Sequence, residues 1–261
     1  MMKPEAILQL YDADERLNAT MPGMQREVDG PVVRLMHEAE PEAHSFVIFS
    51  DLDENTADTA VARQRAYFQT LGRPVEWKLY AHDKPADLAA RLAAGGFAAG
   101  EEDTILALEL ARAPQALLQS PAAHVRRLED VAELELVRAV LAEVHGRDFA
   151  WLVARMTRLM CADAFASVYL AYVDGQPAAT AWAFFPQGSR FASMWAGATL
   201  PAYRKRGLYT ALVAARVQEA LARGYQFMTI DAGPMSRPIV ERYGFEVLAR
   251  AQEFVFKPLD E

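Results

Sequence analysis

The chain is poor in cysteine. Its 261 residues contain one, Cys161, so no internal disulfide can form and a four-cysteine zinc site is excluded. A chain that needs no oxidising compartment is expected in the cytoplasm. No stretch approaches the roughly 18 consecutive apolar residues of a membrane span, so no membrane partner is expected. The apolar run Ala6–Leu10 is too short for the core of a signal peptide, and Asp12, Asp14 and Glu15 follow it at once. Basic residues are outnumbered, 27 Lys+Arg against 35 Asp+Glu, for a formal net charge of -8. An acidic surface repels phosphate backbones, so no nucleic-acid partner is expected. No His/Cys/acid cluster has metal-ligand spacing. No Ser/His/Asp set announces itself, and the Gly-Lys-Ser/Thr ending of a P-loop is missing.

What remains is an ordinary globular composition, 52% hydrophobic and 24% charged. The length suits one large domain or two small ones, with a core that needs no disulfides. Ala6–Leu17 reads as a short helix and Val32–His37 as a helix or strand. Phe46–Phe49 is a short run of β-formers, hence a buried strand. Thr59–Thr70 reads as a helix stopped at Gly72. Val75–Ala81 alternates as a strand. Pro85 opens a helix over Ala86–Ala94, with Asp83 as its cap, and Thr104–Leu110 is a strand. Ala113–Ala123, with Pro114, Ser120 and Pro121, is a connector whose Leu117 and Leu118 suggest that it packs.

Beyond it, Val125–Leu128 is an edge strand and Asp130 caps a helix over Val131–Glu143. A second helix covers Phe149–Met160. Ser167–Val173 and Ala178–Phe185 flank Asp174-Gly175, a strong short hairpin signal. Strand Ser193–Leu200, helix Leu208–Arg223, strand Phe227–Ala232, short helix Ser236–Arg242 and strand Glu246–Phe256 complete the chain.

The two halves share an order: strand, helix, strand, short helix, Gly-Phe, strand. Each takes about fifty residues from its first strand to its Gly-Phe, as in a duplicated unit. They differ where the long helix begins. The second half has Arg204-Lys205-Arg206-Gly207, and the first has Asp51-Leu52-Asp53-Glu54. A helix start exposes unpaired N–H groups and partial positive charge, which together bind phosphate oxygens. Gly207 lets a ligand reach the backbone. Arg204, Lys205 and Arg206 add positive potential. A plain solvated helix start is the alternative, but cations oppose the helix dipole there, so that reading fits less well.

These residues resemble the diphosphate loop of the GNAT superfamily of N-acetyltransferases, Arg/Gln-x-x-Gly-x-Gly/Ala, with Tyr209 at the last position. Ala198-Thr199-Leu200-Pro201 and Arg242-Tyr243-Gly244-Phe245 resemble the family's flanks. The first half resembles a degenerate copy, as in tandem GNAT proteins, with Tyr80-Ala81-His82-Asp83, Pro85 and Gly96-Phe97 as its remnants. The resemblance implies a mixed α/β (α+β) acyl-CoA N-acyltransferase fold: a degenerate domain at 1–112, a connector at 113–124 and a catalytic domain at 125–261. It implies acetyl-CoA as cosubstrate and no metal. Ala198, Thr199 and Leu200 would pair with the pantetheine arm, and Arg204, Lys205, Arg206, Gly207, Leu208, Tyr209 and Thr210 would hold the diphosphate. The acceptor would be a small-molecule amine or a protein amine, attacking the thioester directly. A homodimer is compatible with this reading. The alternative is a lapsed CoA-binding or structural protein.

The family's usual acid is a Tyr four residues before the glycine of Gly-Phe. Val240 stands there. The candidates for proton transfer are Asp231, at a strand end or only capping a turn, Ser236, a hydroxyl near the sulfur or an N-cap, and Glu143. His145 and Asp148 lie near Glu143. Trp151, Trp182 and Trp195 line a pocket or fill core. His82-Asp83 reads as turn and cap rather than a dyad.

Overall fold

The computed structural model of the chain describes residues 2–38, 44–119 and 124–258. Its contacts divide into two units, Met1–Ile105 with the stretch from Leu248 onward, and Leu106–Val247.

In the first unit, helix α1 (Pro4–Tyr11) stops short of the expected Leu17, and a wider π turn covers Asp12–Leu17. Arg16 on that turn is buried, and its guanidinium meets both oxygens of Asp83 at 2.7 and 2.8 Å and Asp12 at 2.8 Å. Strand β1 (Met24–Asp29) had no sequence signal, because Gln25, Arg26, Glu27 and Asp29 make it mostly polar. It pairs antiparallel with β2 (Val32–His37), a strand buried throughout and not a helix. Strand β3 (Ser45–Ser50), helix α2 (Ala57–Leu71) and strand β4 (Val75–Tyr80) follow, with β3 and β4 parallel. Gly72 ends α2 in the left-handed region, at φ 63°.

Helix α3 (Leu88–Ala94) begins two residues later than expected, and Asp83 does not cap it. That carboxylate is committed to Arg16 and to the Tyr80 N–H. His82 pairs with Asp12 at 2.9 Å, so His82-Asp83 is no dyad. Strand β5 (Ala98–Glu109) is longer than read, and its last four residues belong to the second unit.

The second unit opens with a short helix α4 (Gln115–Leu118) in the connector. Leu117 is buried there and Leu118 is not, and burying one such leucine contributes about 1.5–3 kcal/mol. Ser120 and Pro121 fall outside the described residues. Strand β6 (His124–Arg127) is the edge, paired only with β7 (Ala166–Val173). Between them lie α5 (Leu134–His145) and α6 (Ala150–Cys161). Asp130 accepts the Ala132 N–H at 2.8 Å, capping a 3-10 turn that leads into α5. Strand β8 (Gln176–Phe184) returns antiparallel through Asp174 and Gly175, both at positive φ (49° and 75°) as a two-residue hairpin demands.

Strand β9 (Phe191–Thr199), helix α7 (Leu208–Ala222), strand β10 (Phe227–Ala232), helix α8 (Arg237–Glu241) and strand β11 (Glu246–Phe256) complete the order. β9 and β10 are parallel, as β3 and β4 are. From Leu248 onward β11 belongs to the first unit, where it pairs antiparallel with β4, Ala251 against Tyr80 through Phe256 against Val75. The buried face of α7, with Val213, Val217 and Ala220, packs on Ala183 of β8, Phe185 just beyond it, Ala192 and Met194 of β9, and Met228 and Ile230 of β10. Alternation sends Trp182, Phe184, Ser193, Trp195 and Asp231 to the opposite face.

Candidate cofactor site

Three local features of the second unit meet at one end of β9. The first is a gap. Strands β9 and β10 are in register from Phe191–Phe227 to Met194–Ile230, and no pairing continues beyond. The second is a bulge. Trp195 pairs with Trp182 and Ala198 with Thr180, so Ala196 and Gly197 together face the single residue Ala181. Ala196 is held at φ 46°, where a residue with a Cβ is disfavoured. Trp195, Ala196 and Gly197 are exposed.

The third is the start of α7. Gly207 is its N-cap, at φ 78°. No side chain caps the terminus and no acid stands in its first turn. The first N–H beyond the cap to meet a main-chain acceptor is that of Ala211, on Gly207 at 2.9 Å. The amides of Leu208, Tyr209 and Thr210 are thus left without a main-chain acceptor. A Cβ at Gly207 would meet nothing within 4 Å, so the approach is open. Arg204, Lys205 and Arg206 are exposed around it. Arg204 Nε donates to the Thr199 carbonyl at 3.3 Å, which ties the loop back to β9.

The expected pantetheine-pairing residues differ among themselves. The Leu200 N–H is already donated to Ala178 at 2.9 Å. With Ala198 paired to Thr180, strand alternation turns the main chain of Thr199 the other way. Ala198 and Leu200 are buried, and Thr199 is half-buried.

Tyr209 is half-buried, and its ring lies over Gly197. A Cβ on that glycine would come 2.7 Å from Tyr209 Cε2. Burial pushes the Tyr209 phenol above its ordinary value, opposed by the charge of Arg216 and by a hydrogen bond with Ser236. Ser236 is the N-cap of α8, yet its side chain makes no capping bond and donates instead to Gly233 O at 3.3 Å. Asp231 is half-buried on β10, next to the residue where pairing with β9 ends. Glu143 and His145 are exposed near the end of α5, and the His145 ring packs on Phe149 at 5.5 Å. Asp148 is bound by Arg138 at 2.7 Å, which holds its carboxyl below the usual carboxylate range. Trp182 is buried, whereas Trp151 and Trp195 are exposed at 57% and 41%, so these two are not core. Val240 is fully buried among core residues. Among the described residues no three His, Cys, Asp or Glu side chains could together hold a metal.

One residue here was missed in the sequence. Arg216 of α7 is 1% exposed, and burial pushes its guanidinium down to about 10. Its only mark in the sequence is a single charge inside the apolar run Ala211–Val217.

The profile of the acetyltransferase (GNAT) family matches residues 128–245. No curated protein sequence matches the chain. A GCN5-related N-acetyltransferase from Kribbella flavida is similar in structure, with TM-score 0.71 and 20% identity over 98% of this chain and 95% of that one. A tandem GNAT protein from the clavulanic acid biosynthesis pathway gives TM-score 0.63 and 16% identity, covering 94% of this chain and 87% of its own. A GCN5-related N-acetyltransferase from Sphaerobacter thermophilus gives 0.60 and 13%, over 88% and 79%. Residues 128–245 therefore match the GNAT acetyltransferase family, and these solved structures share the chain's mixed α/β acyl-CoA N-acyltransferase fold.

Proposed function

We propose that the domain at 125–261 transfers an acetyl group from acetyl-CoA to a primary amine, and that the domain at 1–112 is a degenerate copy that binds no acyl-CoA. The observation that carries the reading is the uncapped, cation-flanked start of α7 beside the place where β9 and β10 stop pairing. The amides of Leu208, Tyr209 and Thr210 would take the diphosphate oxygens, and the main chain of Thr199 would meet the pantetheine arm.

In the transfer, a neutral amine nitrogen attacks the thioester carbonyl carbon. The carbonyl π pair moves onto oxygen, where a main-chain N–H stabilises it. As that pair returns, the C–S bond breaks and its electrons leave on sulfur. The proton lost by the nitrogen goes to a base or water, and the thiolate gains one, leaving an amide and CoA thiol. Asp231, Ser236 and Glu143 are the candidates for these proton transfers, with Asp231 and Ser236 nearest the gap. The acceptor is a small amine or a protein amine, and the protein works in the cytoplasm.

Two observations favour a second reading, a CoA binder without turnover. Val240 is buried where the family has its acidic phenol, and the Tyr209 ring covers Gly197. Calorimetric titration with acetyl-CoA, followed by thioester consumption with a panel of amines, separates them. Binding with turnover supports transfer, binding alone supports the second reading, and no heat with any CoA thioester refutes both.

A further inference from the structure

Arg216 has no role in the loop chemistry above, and its surroundings call for one. Two turns separate it from Tyr209 on α7, and it points under the sheet. Its Nε donates to Leu212 O at 2.9 Å on its own helix. Its Nη1 donates to Trp182 O at 3.3 Å and Trp195 O at 3.4 Å, the carbonyls of the residue pair bordering the bulge. Its Nη2 is buried with no hydrogen-bond partner, and no carboxylate pairs with the guanidinium among the described residues. A buried charge without a counter-ion is costly to keep. A methionine would fill much of the same space without that cost, so packing alone does not account for the arginine.

The direction of the Trp195 peptide suggests what does. A trans peptide group is planar, and its C=O and N–H point opposite ways. The Trp195 carbonyl turns toward the guanidinium, so the N–H of the same peptide, that of Ala196, points away from Arg216. Pairing with β10 has ended at Met194, two residues before Ala196, and Ala196 is exposed. A cation bonded to a peptide oxygen draws electron density from the unit and strengthens its N–H as a donor. Ala196, on the N–H side of this peptide, is held at a positive φ of 46°.

We propose that Arg216 is a positioning residue for acyl transfer: it holds the Trp195–Ala196 peptide from behind, so that the Ala196 N–H is aimed and polarised toward the thioester oxygen. The proposal rests on the transferase reading for its kinetics, but its structural half needs no ligand. Arg216 touches no substrate and acts only through that peptide.

The test uses the full-length protein with Arg216→Met and Arg216→Lys. For the methionine variant, the melting temperature stays near that of the wild type or rises, and KM for acetyl-CoA changes less than about twofold. Its kcat falls roughly 10–100-fold, approaching the loss of an oxyanion donor. Lysine, which keeps a charge and a donor, restores kcat to within about fivefold of the wild type. By NMR on the ligand-free protein, the Ala196 amide proton moves upfield and exchanges faster in the methionine variant. Unchanged kcat in a folded methionine variant overturns the proposal, as does an Ala196 amide that neither shifts nor exchanges faster. If methionine prevents folding, lysine decides alone: a folded lysine variant that loses kcat as far as a donor deletion overturns it. Wild-type protein that consumes no thioester refutes the transferase reading, and the Ala196 amide then decides the structural claim separately.

Discussion

The two long helices, α2 and α7, follow equivalent strands and begin in opposite ways. At α2, Asp53 Oδ1 accepts the N–H groups of Asn55 at 2.9 Å and Thr56 at 2.8 Å, and the Thr56 hydroxyl at 2.7 Å. Asp58 adds negative charge in the first turn. The turn leading into that helix is closed by a carboxylate, and an acid stands in its first turn. At α7 the equivalent loop offers Gly207 and three cations, and among the described residues no side chain caps the terminus and no acid stands in its first turn. Positive side chains at a positive helix end destabilise the isolated helix. The second unit therefore carries a local cost that an anion removes when bound, and the first unit does not. One architecture hosts an acid-answered helix start and a cation-flanked one, and the difference is four residues long.

The sharpest way to break this comparison is to give α7 an internal anion. Gly207→Glu places a carboxylate where diphosphate oxygens are proposed to sit, and puts a Cβ at φ 78°. Acyl-CoA affinity should fall by at least about 100-fold, from charge repulsion and a blocked approach together. The strain of the new residue costs about 1 kcal/mol, too little to unfold a domain of this size. Calorimetry reads the affinity and circular dichroism the fold. Affinity within threefold of the wild type would show that α7 does not hold the diphosphate.

A smaller effect is expected at Tyr209. Its ring lies over Gly197, beside the gap, where the family carries Gly or Ala. If the ring must move before the pantetheine arm enters, apparent affinity is reduced by the fraction of molecules with the gap open. Tyr209→Ala should then tighten acetyl-CoA binding by roughly 3–10-fold. Weaker binding in that variant would instead make the ring a wall that contacts the cofactor.

Much of the fold was legible because its signals are local. The Asp174-Gly175 turn fixes the β7–β8 hairpin, Gly72 stops α2, and the apolar periodicity of Leu208–Ala222 gives α7. The repeated order of elements was readable for the same reason. What escaped depends on partners distant in sequence. Strand β1 is polar and forms only because β2 offers its edge. Asp83 looks like a helix cap until Arg16, 67 residues earlier, claims it. The bulge at Ala196–Gly197 adds one residue to a strand without changing its composition. Arg216 was visible as a charge in an apolar run, but its role appears only once Trp182 and Trp195 bring their carbonyls beneath it.

The smallest expected effect tests the other side of the comparison. Asp53→Ala removes the carboxylate that ties Asn55 and Thr56 in the turn leading into α2, and the melting temperature should fall by about 2–4 °C. Acetyl-CoA affinity should not change, because the first copy is proposed to bind none. The dependence on pH has a definite sign. Hydrogen bonds from the Thr56 side chain, the Thr56 backbone and the Asn55 backbone hold the Asp53 carboxyl below its ordinary 3.8. A carboxyl with a depressed folded pKa stabilises above its unfolded value and loses that contribution as pH falls through the folded one. Wild type and Asp53→Ala should therefore differ at neutral pH and converge on acidification below 3.8. Convergence without any change in binding would confirm that this carboxylate serves its own helix alone. A loss of acetyl-CoA affinity in this variant would mean that the first copy takes part in binding, and the contrast between the two helix starts would no longer separate an empty copy from a working one.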